Sequence, residues 1–101
     1  LEGHDGVLET IVFENGQTLA RRGMFFSTTQ QQHSDLAKQL GCGFTEEGCV
    51  ATGEYEATNV PGLYVAGDAS RFVQMVIVAA AEGAQAAVAI NKELMKEDLN
   101  R

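Results

Sequence analysis

The chain has 101 residues, 45% hydrophobic and 21% charged, and its 7 basic against 14 acidic residues give a net charge of −7. That composition fits at most one ordinary soluble domain, and the acidic balance repels nucleic-acid phosphates and anionic lipid, which argues against both as partners. The longest apolar block, VIVAAA at 76–81, falls far short of the roughly 20 residues that cross a bilayer.

The opening LEGHDG has neither the basic start nor the apolar run of a secretory leader. The chain begins with Leu1 and enters structure almost at once, as expected of a piece of a longer protein. VLETIVFE (7–14) and QTLARRGMFF (17–26) flank Asn15-Gly16. Two β-favouring runs around Asn-Gly predict a hairpin with a type I′ turn, since that pair tolerates positive φ. Arg21 and Arg22 on the second arm could hold a cofactor phosphate. Without a glycine-rich turn beside them, a solvated strand edge is the better reading.

The polar STTQQQ (27–32) leads to a short helix, with Ser34 as N-cap, Leu36, Ala37 and Leu40 on one face and Gly41 as terminator. His33, alone among polar neighbours, reads as a surface residue rather than a general base. CGFTEEGCVATGEYEA (42–57) reads as a turn, a short strand around Cys49–Thr52 and another turn. Cys42 and Cys49, separated by six residues, match neither a CxxC redox pair nor a zinc spacing. Two small apolar residues in a reducing cytoplasm are expected, with a disulfide left open.

After the turn at Pro61-Gly62, LYVA (63–66) reads as a short strand buried on both faces of an α/β sheet. A helix is predicted from about Arg71 to Leu99. Its first part, FVQMVIVAAAEGAQAAVAI, is apolar on nearly every face and should be buried; NKELMKEDLNR should emerge into solvent. Between strand and helix stand Gly67 and Asp68. Ligands of open α/β sheets sit outside the carboxyl ends of the strands, and a glycine there lets a ligand lie against the backbone. An ionised Asp68 can accept hydrogen bonds from paired hydroxyls. Free amides at Gln74, Met75 and Val76, at the positive end of the helix, would favour an electron-rich carbonyl. Together these would suit a flavin. The other reading, Asp68 as helix cap, stays open on these residues alone.

TNVPGLYVAGD (58–68) followed by AEGAQAA (81–87) resembles the C-terminal flavin motif of the pyridine nucleotide-disulfide oxidoreductases, most closely the low-molecular-weight thioredoxin reductase branch. LGC (40–42) and GCVAT (48–52) fit the order upstream. The resemblance implies the C-terminal part of an α/β fold with two dinucleotide-binding domains. Residues 1–27 would be the last hairpin of the NAD(P)H domain, 28–41 a linker with a short helix, and 42–101 the returning segment of the FAD domain. It implies that Gly67 and Asp68 meet the ribityl chain of FAD, that the amides of Gln74, Met75 and Val76 meet the isoalloxazine, and that Gly83 permits tight helix packing.

Electrons would pass from NAD(P)H through FAD to a thioredoxin-like disulfide or a small-molecule acceptor, in a cytoplasmic homodimer. Two departures stand out. Gln74-Met75 occupies the place where many members carry Arg-Gln, and no GxGxxG or CxxC occurs. No residue is a catalytic acid, base or nucleophile candidate. The reading from a different class is a non-enzymatic α/β module that dimerises and does not bind FAD by itself.

Overall fold

The turn chemistry sets the first unit. In the computed structural model, which describes residues 1–101, strands β1 (Glu2–His4), β2 (Val7–Val12) and β3 (Thr18–Ala20) form an antiparallel sheet in the order β1-β2-β3. The type I′ geometry expected at Asn15-Gly16 occurs instead at Asp5-Gly6, where φ is 50° and 77° and His4 pairs with Val7. Asn15-Gly16 lies in a longer loop. The Gly16 N–H donates to Phe13 O at 2.9 Å and the Phe13 N–H to Gln17 O at 2.9 Å, with Gly16 alone left-handed at φ 81°. Asn15 stays right of that region because its Oδ1 accepts the Gln17 N–H at 3.0 Å, a local bond that stabilises the three-residue loop with a glycine bulge.

Neither face of this sheet is covered. Only Leu8, Thr10 and Ile11 of β2 are half-buried, β1 and β3 are exposed throughout, and no strand packs against a helix. Residues 21–35 carry no helix or strand, and Phe25 and Phe26 face solvent. Their polar continuation is fastened by side-chain amides. Gln32 Nε2 donates to Gly48 O at 3.0 Å and Ala69 O at 2.8 Å, and Gln30 Nε2 donates to Phe72 O at 2.9 Å.

Helix α1 (Leu36–Gln39) is one turn long. The N-cap is Asp35, with no side-chain cap bond, and not the expected Ser34, which stands one residue earlier and accepts the Leu36 N–H through Oγ at 3.2 Å. Gly41 ends the helix at φ 88°, with the Cys42 N–H returning to Ala37 O at 3.0 Å. Leu36 and Leu40 stay exposed. The core beyond is small: Cys42, Cys49, Val50 and Ala86 are its buried apolar residues, and both cysteines are free thiols, so the disulfide alternative is not realised.

Two expected strands are absent. Around Cys49–Thr52 there is only an isolated bridge from Phe44 to Val50, and LYVA makes only one, from Ala57 to Tyr64. Leu63 to Ala66 are half-buried rather than buried. A doubly covered strand needs a neighbouring strand on each edge, and nothing in this chain lies beside it to supply the second.

Helix α2 (Val76–Leu99) starts five residues later than expected and is not buried: among its residues only Glu82 and Ala86 are. Val76 is 90% exposed, and Ile77, Val88 and Leu94 also face solvent. Its composition is that of a covered helix; the cover is not part of this chain. The whole measures 68 × 25 × 20 Å with a radius of gyration of 20.0 Å, where a compact chain of this length has about 13 Å. Its accessible surface is 8191 Å², against about 5,500 Å² for a compact monomer of this mass. No helix is long and apolar enough to cross a membrane.

Val50, at 1% exposure the most buried large side chain, should be the costliest to truncate. Val50→Ala is expected to lose about 2 kcal/mol of unfolding free energy in urea, while Leu94→Ala on the open side of α2 changes it by less than about 0.5 kcal/mol.

Candidate functional site

The site is built on one glycine. The chain arrives extended at Ala66 (φ −127°, ψ 157°) and turns at Gly67 into a 3-10 turn over Gly67–Ala69. Gly67 has φ 80°, and a Cβ on it would stand 3.3 Å from Ala79 Cβ of α2. Both the left-handed backbone and the close helix exclude a side chain there. On the side where a Cβ would stand, the glycine faces α2. Its carbonyl accepts the Ser70 N–H at 3.0 Å and Ser70 Oγ–H at 3.1 Å. Its N–H donates to Glu82 Oε2 at 2.8 Å.

Glu82 is buried, and its other oxygen accepts Arg71 Nε–H. Arg71 Nη2 reaches on to the buried Glu56 carboxylate at 3.1 and 3.0 Å, so one guanidinium bridges two carboxylates. Burial pushes the Glu82 pKa up, but the hydrogen bonds from Arg71 and Gly67 outweigh it and hold the carboxyl below its usual range. The bond to Glu82 likewise raises Arg71, against the opposing effect of burial.

This cluster explains the late start of α2. In a helix running from Arg71, Glu82 would lie eleven residues on, about 16 Å along the axis, out of reach of the guanidinium. The ion pair requires residues 71–75 to fold back, and Met75 is accordingly extended at φ −130°, ψ 134°. None of Arg71, Glu82 and Glu56 was singled out from the sequence. The signal was present: Glu82 is the sole charged residue between Arg71 and Lys92, and Arg71 the sole Lys or Arg between Lys38 and Lys92. A lone carboxylate in an apolar helix needs a partner, and only one cation was near.

Asp68 follows the turn and is exposed. It caps nothing, because α2 has no side-chain cap and neither does the 3-10 turn; the capping alternative is therefore not the one adopted. Its carboxylate lies on a polar cleft of about 500 Å³ shared with Gln74, Gln32, Gln30, His33 and Thr28. Gln74, Met75 and Val76 stand at the start of α2, and their N–H groups donate to no backbone carbonyl. Asp68 and Gln74 thus share one cleft, while Met75 and Val76 are exposed and are not among its lining residues. His33 is a surface residue on the cleft wall. Arg21 and Arg22 are exposed directly after β3, the Arg21 guanidinium donating to Ala20 O at 2.7 Å and its backbone N–H to Glu9 O at 3.0 Å. At Gly83 no atom lies within 4 Å of where a Cβ would be, so the packing implied for it is not made within this chain.

Comparison with known proteins gives a consistent result. Residues 1–84 match the profile of the pyridine nucleotide-disulphide oxidoreductase family. The glutamate synthase [NADPH] small chains of two Mycobacterium tuberculosis strains, CDC 1551 / Oshkosh and H37Rv, are 44% identical over 64 residues, 63% of this chain and 13% of theirs. TrxB of Bacillus anthracis, assigned as a thioredoxin reductase, superposes with a TM-score of 0.77 at 30% identity, over 96% of this chain and 33% of that one. HlmI superposes with a TM-score of 0.80 at 28% identity, over 99% of this chain and 31% of its own. The chain spans about one eighth of the length of the glutamate synthase relatives and one third of the solved structures.

The depressed Glu82 pKa makes its contribution to stability complete above the unfolded value, about 4.3, and lost as pH falls through the lower folded value. Thermal melting followed from pH 7 to pH 3 should show this loss, and Glu82→Gln should melt lower at pH 7 with a shallower acid slope.

Proposed function

The chain belongs to the pyridine nucleotide-disulphide oxidoreductase family, and from that membership we propose that it forms the ribityl and isoalloxazine side of an FAD site in a flavoprotein passing electrons from NAD(P)H to a disulfide or other acceptor. The observation that carries this reading is that an unengaged Asp68 carboxylate shares one polar cleft with Gln74, two residues ahead of the uncapped start of α2. The donor set fits the group. Asp68 accepts hydrogen bonds from ribityl hydroxyls, and the amides at Gln74, Met75 and Val76 meet an electron-rich carbonyl, favoured by the positive end of α2. Bound FAD supplies the redox chemistry; Asp68 and the amides bind and orient it, and none of them exchanges a proton in the reaction.

The same reading assigns residues 1–27 to the end of the NAD(P)H domain, 28–41 to a linker and 42–101 to the FAD domain. Support comes from the sheet, which packs against neither helix. The names of the relatives favour NADPH as electron donor and a thioredoxin disulfide as one acceptor. A second reading, a dimerising module without FAD, draws on the large exposed apolar surface of α2. A flavin titration with size-exclusion chromatography separates the two: a dimer indifferent to FAD supports the second.

Asp68→Ala in the full-length protein is expected to weaken FAD binding by about 2–3 kcal/mol, the worth of a charged hydrogen-bonding group shielded from water. Because Asp68 caps no helix, the melting temperature of the flavin-free protein should not change. Equal FAD affinity in the variant and the parent would refute the reading.

A further inference from the structure

We propose that Glu82 is a positioning residue for the flavin hand, acting through Asp68 by locking the Gly67 turn onto α2; this rests on the FAD reading above. Both oxygens of Glu82 are already committed, Oε2 to the Gly67 N–H at 2.8 Å and Oε1 to Arg71 Nε. It is 6% exposed. A ligand in the Asp68 cleft therefore meets Asp68 and not Glu82.

What Glu82 does is fix a distance. The candidate hand has two halves on different elements: Asp68 on the 3-10 turn, and the amides of Gln74 to Val76 at the head of α2. The loop between them has no regular structure, so its own backbone does not set their separation. Glu82 and Ala79, one helical turn apart on α2, both bear on Gly67, one by hydrogen bond and the other by van der Waals contact. The Gly67 carbonyl is held from the other side by Ser70. The peptide entering Gly67 is thus held by α2 and the peptide leaving it toward Asp68 by Ser70 of the same turn. Arg71, in the middle of the loop, is tied to the same carboxylate and across to Glu56. One side chain thus anchors the turn, the loop and the helix that carry the two halves. A binding constellation held this way loses affinity when its support loosens, even though no contact to the ligand is deleted.

Glu82→Gln keeps the shape and can still accept the Gly67 N–H, but it sets an NH₂ donor against the Arg71 guanidinium. The test is a double-substitution cycle in the full-length protein, with FAD dissociation constants and flavin-free melting temperatures for Glu82→Gln, Asp68→Ala and the pair. Glu82→Gln alone should weaken FAD about tenfold, and should weaken it no further once Asp68 is alanine. In the flavin-free protein the pair should melt no lower than Glu82→Gln alone. Arg71→Lys serves the same cycle if Glu82→Gln does not fold, since one ammonium cannot reproduce the guanidinium's fork between two carboxylates. Lower melting with unchanged FAD affinity would overturn the proposal, as would losses in affinity that multiply independently of Asp68. A normal FAD affinity in Asp68→Ala alone would instead remove the FAD reading on which the proposal stands.

Discussion

One guanidinium between two buried carboxylates governs the shape of residues 54–99. Arg71 is paired with Glu82 of α2 and with Glu56 of an earlier 3-10 turn over Glu54–Glu56. Burying two carboxylates against one cation is costly unless their remaining lone pairs are engaged. Here Glu56 also accepts Thr52 Oγ1–H at 3.4 Å, Glu82 accepts the Gly67 N–H, and the half-exposed Arg71 keeps access to water. No buried side-chain polar atom lacks a partner. The position of the pair dictates the path of the chain. Holding Arg71 against Glu82 turns residues 71–75 out of the helix and leaves the head of α2 without a side-chain cap, while Gln74 of that segment lines the same cleft as Asp68.

Around that cluster the structure is well tied by polar groups and poorly covered by apolar ones. Side-chain amides of Gln30, Gln32 and Asn59 bridge segments that no sheet joins; Asn59 alone accepts the Gly43 N–H and donates to Gly41 O. Most of the large apolar residues of α2 and those of the 25–26 and 72–77 segments remain in water. The excess surface of about 2,700 Å² over a compact chain is the size of a substantial protein–protein or interdomain contact. Such a surface matches a chain that spans a third of the solved structures it resembles.

Local chemistry was readable and long-range chemistry was not. The hairpin, Ser34 at the start of α1, Gly41 at its end and the exposed tail of α2 all follow from residues within a few positions of one another. The turn at Asn15-Gly16 was misread because Asn15 could bond the next amide but one, an option that residue pattern does not rank against type I′. LYVA has the composition of a buried strand, but it pairs on one side only, through the Ala57–Tyr64 bridge, and nothing in this chain lies along its other edge. Likewise α2 carries the sequence of a covered helix without its cover.

The sequence by itself determined the family and the candidate hand: the eleven residues TNVPGLYVAGD and the AEGAQAA helix are a continuous record. Only the tertiary structure decided that Gly67, Glu82 and Arg71 meet. Glu82 and Arg71 are eleven positions apart, and Glu56 fifteen from Arg71, so their meeting depends on how the chain folds back. Charge pairing over such separations is set by geometry, which no local periodicity encodes.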